Sequence, residues 1–323
     1  MAGRHIKELI AAYHDRDDLA FRRATQGIID EEEAKQHTTL ARDLRRLLAA
    51  GTRSVQLDAS VLPDTPRDRD TNVPLVDVSM SDLGGLQDVV LAEPARATLQ
   101  GVVDEVRRWD ALDAAGIRRR TRLLLYGPPG CGKTSIASAM AAALRWPLAS
   151  TRFDSLVSSY LGETASNLRS LFDFAAASPC VLLLDEFDSL GKLRDDPSDH
   201  GELRRVVNAV LQLIDKHTGP SIVIAATNHP KILDTAMWRR FDEVVEVPLP
   251  TDEQIALLLR RQLPRTFEYD IDSLVHRLSG LPFAAVAHTA NSARRLAALD
   301  DRRNITAQDL DTAVATTVAR RWL

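Results

Sequence analysis

The chain has 323 residues, enough for two compact domains with cores of their own, and its 45% hydrophobic and 27% charged residues are ordinary for a globular protein. A net charge of −4 argues against a broad, sequence-blind grip on nucleic acid. The two cysteines, Cys131 and Cys180, lack metal or redox spacing, and no apolar run approaches the ~18 residues a membrane span needs, so a cytoplasmic protein is expected.

Residues 3–50 carry helical spacing: Ile6, Leu9, Ile10 and Tyr13, then Phe21, Ala24 and Ile28, then Leu40, Leu44, Leu47 and Leu48, with Gly51 as a stop. This predicts an N-terminal helical region over 1–50. Residues 51–76 ("LPDTPRDRDTNVP" within them) have little periodicity and read as a linker. From 77 onward, helical stretches alternate with short apolar runs: "RLLLY" (122–126), "PLAST" (147–151), "CVLLLD" (180–185), "SIVIAAT" (221–227) and "EVVEVPL" (243–249). Such runs between helices predict a parallel sheet covered on both faces, hence an α/β domain over 77–250. Beyond Pro250 only helices are expected, over 252–263, 271–279, 282–299 and 306–319, forming a small all-α domain over 251–323. Thr306, with Asp309 three residues on, is a plausible N-cap.

The segment "LLLYGPPGCGKTS" contains Gly127-x-x-x-x-Gly132-Lys133-Thr134, directly after a strand and at the start of a helix. That is the context of a phosphate-binding loop. Gly127, Gly130, Cys131, Gly132 and Ser135 would present backbone N–H groups to phosphate oxygens, Pro128 and Pro129, which have no N–H, belong to the same loop, and the helix N-terminus adds a favourable dipole. Lys133 would reach the β- and γ-phosphates of ATP, and Thr134 would hold Mg²⁺. "CVLLLDEFDSL" then puts Asp185 and Glu186 at the carboxyl end of a buried strand, where open α/β sheets bind ligands. Successive residues point different ways, so Asp185 can serve the Mg²⁺ shell, through water, while Glu186 polarises an attacking water. Asp188 reads as a cap for the next helix. Asn228, ending "IAATN", suits a water-orienting or γ-phosphate-sensing amide.

With "ILDTAMWRRFDEVVEVPLP" following, the order of motifs resembles the AAA family of ATPases over about residues 77–320, nearest the clade of katanin, spastin and the proteasomal ATPases, in a bacterial-type chain with a single such domain. The resemblance implies a P-loop NTPase core with a helical lid, ATP hydrolysis with Mg²⁺, and an ATP-promoted homo-oligomer, most simply a hexamer. Lys133 and its loop match Walker A, Asp185 and Glu186 match Walker B, and Asn228 matches sensor 1. Arg239 and Arg240 match arginine fingers acting on the neighbouring subunit's nucleotide. "SSYLGET" (158–164) matches a pore loop, in which Tyr160, Leu161 and Gly162 would grip an extended peptide. "LRDDPSDHGE" (193–202), with His200, matches a second pore loop.

The resemblance implies a motor that threads, unfolds or remodels proteins recruited by residues 1–50. The alternative is a nucleotide-dependent switch or assembly factor that controls one partner protein without threading. Some bacterial members with a short N-terminal region of this kind are encoded beside a subtilisin-like protease, so the resemblance offers a protease as one such partner. Action on nucleic acid is disfavoured by the acidic balance and the aromatic pore loop. The chain has no His-Glu-x-x-His, so a fused zinc protease is not expected. Four details depart from the family pattern or stand outside it. Either "SDLGGL" (81–86) or "DVVLAE" (88–93) could supply the adenine cradle. Ala284 and Ala285 stand where other branches place a sensor-2 arginine, with Arg294 and Arg295 read as solvent-facing. Cys131, at a helix N-terminus, is expected to favour thiolate, and "RRRTR" (118–122) to be a solvated basic edge.

Overall fold

The computed structural model describes residues 64–68, 71–152, 161–189, 202–233, 235–263, 270–302 and 304–322, with residues 24–25, 27–29, 31 and 35 nearer the N-terminus. The chain divides into two compact units, 1–56 and 57–323. In the first, the described residues between 24 and 31 are helical, Ala24 and Ile29 are buried, and Lys35 pairs with Glu31 at 3.1 Å. Most of the expected N-terminal helices, part of the expected linker, Tyr160 and nearly all of the 193–202 segment lie outside the described residues.

The second unit is built on a six-stranded sheet. Its strands are β1 (Asp77–Ser79), β2 (Arg122–Tyr126), β3 (Leu148–Arg152), β4 (Val181–Asp185), β5 (Ile222–Thr227) and β6 (Glu243–Glu246), in the order β1-β3-β4-β5-β2-β6. All neighbours run parallel except β1, which pairs antiparallel with β3. The α/β reading holds, and the five expected runs are the five parallel strands. β1 was not anticipated: it has three residues and leaves two of them exposed, so it offers no apolar run to read.

The period-two alternation of strands sorts the sheet into two cores. Leu124, Leu182, Leu184, Val223 and Ala225 face one layer, packed with Leu168, Leu171 and Phe172 of α4 (Leu161–Ala177) and Val207, Val210 and Ile214 of α5 (Glu202–Lys216). Leu123, Leu125, Val181, Leu183, Ile222 and Ile224 face the other. There they meet Leu99, Val102 and Val103 of α1 (Glu93–Val106), Trp109 of α2 (Trp109–Ala114), and Ile136, Ala137 and Met140 of α3 (Lys133–Leu144). Both faces of the central strands are thus covered, which is why they read as unbroken apolar runs.

After β6, preceded by the short helix α6 (Thr235–Trp238), only helices follow: α7 (Asp252–Gln262), α8 (Ile271–Leu278), α9 (Phe283–Leu299) and α10 (Ala307–Val318). They share a third core that includes Ile255, Leu259, Leu278, Val286, Ala290, Leu310 and Val314. Thr251 and Gln254 form a capping box at α7. Thr306 and Asp309 form another at α10, as its sequence predicts. Arg302 grips the Asp309 carboxylate at 2.7 and 2.8 Å, joining that cap to the α9–α10 turn.

The basic run 118–122 is not a solvated edge. Only Arg118 is exposed. Arg119 lies 4.6 Å over the Trp109 ring and pairs with Asp113. Arg120 bridges Glu105 of α1 and Glu243 of β6. Arg122 is buried, its Nε donating at 3.0 Å to Asp242, which also accepts from the backbone N–H groups of Thr121 and Arg122. Carboxylates from three separate elements converge here, and the sequence alone does not show that convergence. Among the described residues, no helix is long and apolar enough to cross a membrane.

Candidate nucleotide site between sheet and lid

The carboxyl ends of β2, β4 and β5 open into a cavity of about 520 Å³, within the range of small-molecule and cofactor sites. The turn from β2 into α3 forms its floor. Gly127 is wedged there: a Cβ would stand 2.0 Å from the Val247 carbonyl oxygen, so no other residue fits without moving the chain after β6. Gly127 N–H also donates to the Thr227 carbonyl of β5 at 3.3 Å. Lys133, the first residue of α3, is 6% exposed, and its ammonium donates to the Gly127 and Pro128 carbonyls at 2.7 and 2.9 Å. Burial pushes its pKa below the ordinary lysine value, while Cys131, Asp185 and Asp188 pull the other way. Lys133 is therefore a largely desolvated cation, held at the mouth of the loop by carbonyls.

Thr134, next on α3, donates its hydroxyl to Asp185 Oδ2 at 3.2 Å. The two sit where the resemblance implies a shared Mg²⁺, and both offer the oxygen atoms such a hard cation prefers. Glu186 follows in the left-handed region at φ 55°, its N–H donating to Asp185 Oδ1 at 2.9 Å. That conformation, uncommon for a non-glycine residue, turns the chain sharply after β4. Phe187 drops into the core with its N–H on the Ala226 carbonyl, and Asp188 is folded back under β5. Asp188 is 4% exposed and its Oδ1 accepts from Thr227 Oγ1 at 3.1 Å and from Asn228 N–H at 3.4 Å. Thr227 Oγ1 in turn accepts from His229 N–H at 3.0 Å. Asp188 directly precedes the helical residue Ser189, where its cap reading places it, and its carboxylate also reaches across to β5. It ties the turn bearing Glu186 to the turn bearing Asn228. Glu186 and Asn228 both line the cavity.

The wall beyond the phosphate loop has two sides. Leu83, Asp88, Val89 and Val90 supply one, so both candidate cradle segments contribute. Arg96 of α1 fixes this stretch by donating to the Leu86 and Val89 carbonyls at 2.8 and 2.9 Å. Leu258, Gln262, Phe283, Ala284 and Ala287 of the helical domain supply the other side. The two sides are joined directly. Arg261 Nη1 donates to the Gln87 and Asp88 carbonyls at 3.2 and 3.0 Å, and Ala284 N–H donates to the Gly130 carbonyl at 2.9 Å. Gly130 has φ 71°, and a Cβ on it would stand 2.9 Å from Ala284 Cβ. Residues 284–285, read from the sequence only as the place of a missing arginine, thus bring the lid onto the phosphate loop. Arg294 and Arg295 are exposed, as expected.

Two expectations are not met, for Cys131 and for residues 161–162. Cys131 is buried beside the loop, and burial raises its thiol pKa, with Lys133 only partly opposing; the expected thiolate is not favoured. Arg239 is exposed, while Arg240 is half-buried and ion-paired with Asp215 at the end of α5; neither lines this chain's own cavity. Leu161 and Gly162, expected in a loop, are the first residues of α4.

A sheet with this strand order, a glycine-rich loop opening α3 and a helical lid over the site define a P-loop NTPase fold. The model of the family described as "ATPase family associated with various cellular activities (AAA)" matches residues 123–249. An AAA family ATPase of Sinorhizobium fredii, y4kL, is 37% identical over 328 residues, covering 99% of this chain and 96% of that protein. The ATP-dependent zinc metalloprotease FtsH 3 of Sphaerobacter thermophilus is 35% identical over 286 residues, covering 84% of this chain but 57% of the protease. The crystal structure of the FIGL-1 AAA domain in complex with ADP superposes with a TM-score of 0.61 at 25% identity, covering 76% of this chain and 88% of that one. The chain belongs to the AAA family.

Proposed function

We propose that the protein is a Mg²⁺-dependent ATPase whose nucleotide state controls a bound partner protein. The observation that carries this reading is the bond from Ala284 N–H of the lid to the Gly130 carbonyl of the phosphate loop. A γ-phosphate that displaces Lys133 from its carbonyls disturbs the segment on which the lid rests, so occupancy and lid position are coupled. The FIGL-1 domain whose crystal structure holds ADP is similar over 76% of this chain, and that likeness supports a place near the katanin, spastin and proteasomal-ATPase clade.

In this reading the loop 127–135 holds the phosphates and Lys133 bridges β and γ oxygens. Thr134 and Asp185 hold Mg²⁺, which when bound neutralises charge on those oxygens. Glu186 polarises the attacking water, and Asn228, braced by Asp188 and Thr227, orients it. Arg239, aided by Arg240, completes a neighbouring subunit's site within a homo-oligomer, most simply a hexamer. Residues 77–250 form the ATPase domain, 251–323 the lid, 1–50 a recruitment region and 51–76 a linker, in a cytoplasmic protein.

A second reading, threading of an unfolded chain, rests on the sequence Tyr160-Leu161-Gly162 at the entry to α4. One experiment separates the two. Glu186→Gln with ATP should retain nucleotide and hold its partner, which mass spectrometry identifies. Control of one partner predicts the same protein with or without Tyr160→Ala. Threading predicts varied proteins that disappear with Tyr160→Ala. Capture of nucleic acid instead would overturn both.

A further inference from the structure

Gln262 is the last residue of α7 and lines the cavity. Its carboxamide oxygen Oε1 is buried and makes no hydrogen bond. Among the described residues, it is the buried, unpartnered side-chain polar atom whose residue faces this cavity. A buried acceptor left unpaired is unfavourable, and such groups in folded proteins normally have a partner or await one. Its position is not left to chance. The adjacent Arg261 pins the end of α7 to the Gln87 and Asp88 carbonyls, directly before Val89 and Val90. Leu258, one helical turn earlier, continues the apolar wall. Gln262 thus shares its wall of the cavity with the apolar Leu258, Val89 and Val90, a lining suited to a flat ring that carries a hydrogen-bond donor.

We propose that Gln262 is the base-reading residue of this site, accepting a hydrogen bond from the 6-amino group of adenine. The proposal rests on the nucleotide reading above and deepens it. Adenine has an N–H donor at that position and guanine a carbonyl, so the same oxygen that rewards one base repels the other. The ribose hydroxyls are the other donors a nucleotide offers, and the test separates them from the base.

The probes are ADP, purine riboside diphosphate and 2′-deoxy-ADP, with affinities measured by calorimetry on the full chain. Purine riboside has hydrogen at position 6, so rotation of the carboxamide gains nothing from it. The wild type should prefer ADP over purine riboside diphosphate about tenfold, the size of one good hydrogen bond whose loss strands a buried group. In Gln262→Leu that ratio should fall to within about twofold, with the ratio of ADP to 2′-deoxy-ADP unchanged. The ligand-free variant should melt no lower than the wild type, because leucine leaves no orphaned oxygen. An unaltered base ratio in the variant, or no base preference in the wild type, overturns the proposal, as does a changed ribose ratio. If the folded wild type binds none of the three probes, the nucleotide reading falls with it. Binding of all three with unchanged ratios refutes the role of Gln262 alone.

Discussion

Gly130→Ala tests the contact between lid and phosphate loop. Gly130 has φ 71°, and placing an L-residue there costs about 1–2 kcal/mol in backbone strain. The added Cβ would also stand 2.9 Å from Ala284 Cβ and 3.4 Å from Pro282 Cβ. Carbon atoms pack best at ~3.5–4.0 Å, so the lid helix must retreat by roughly 0.6–1 Å. That retreat breaks the bond from Ala284 N–H to the Gly130 carbonyl, worth about 0.5–1.5 kcal/mol. Gly280→Ala is the matched control: Gly280 has φ 79° and nothing within 4 Å of its added Cβ. In chemical denaturation Gly280→Ala should therefore lose about 1–2 kcal/mol and Gly130→Ala, which also loses that bond, about 1.5–3.5 kcal/mol, and only Gly130→Ala should weaken ADP binding, by about tenfold. Strain inside the loop alone can also weaken binding, so the deciding variant is the double one. Ala284→Gly removes the clashing carbon and should restore much of the lost affinity. If the double variant binds ADP no better than Gly130→Ala, the lid contact plays no part and the coupling argument fails.

Three further outcomes follow from particular contacts. Asp188→Ala leaves Thr227 Oγ1 and Asn228 N–H without their acceptor; steady-state kinetics should show a kcat loss of roughly tenfold to a hundredfold with KM nearly kept, and Asp188→Asn should recover part of it. Asp242→Ala strands the buried Arg122, whose remaining neighbour Asp215 is 3.9 Å away; unfolding free energy should drop by about 3–5 kcal/mol, and a drop under about 1 kcal/mol would show that the charge finds water. His217 is buried with its ring N–H on the Ser221 carbonyl at 2.9 Å, and burial, with Arg122 adding to it, holds its pKa below the ordinary 6.5. The unfolded chain therefore binds the proton first, so this residue's contribution makes stability decline as pH falls from about 6.5 to the lowered value. His217→Gln should flatten that part of the curve of denaturation midpoint against pH.

Much of the site is legible in the sequence because its chemistry is local. Gly127 to Ser135 lie on one turn, and Asp185, Glu186 and Asn228 end strands whose buried runs are plain to read. The sequence hides what depends on a turn or on distant partners. Asp188 reads as a cap, and its bonds to Thr227 and Asn228 show only once the left-handed Glu186 turns the chain and puts the carboxylate beneath β5. The basic run 118–122 looks solvated until α1, α2 and the chain at β6 bring Glu105, Asp113, Asp242 and Glu243 to it. β1 is too short and too exposed to carry a pattern. Gln262 is one polar residue at the end of an amphipathic helix, and only the burial of its oxygen sets it apart. The lid contact through Ala284 is a backbone bond, on which side-chain identity is silent.

The central claim is ATP hydrolysis at a site that one chain leaves incomplete. Mixing two disabled variants tests it most directly. Glu186→Gln keeps Arg239 but lacks the residue that polarises water; Arg239→Ala keeps Glu186 but lacks the finger. Each alone should hydrolyse ATP at no more than about a thousandth of the wild-type rate. Mixed in equal amounts with ATP, they should recover a readily measured fraction of that rate, because some intact Glu186 sites then adjoin an intact Arg239. If the mixture stays as inactive as its parts while wild type and Arg239→Ala co-assemble, Arg239 does not complete a neighbour's site and the account is contradicted.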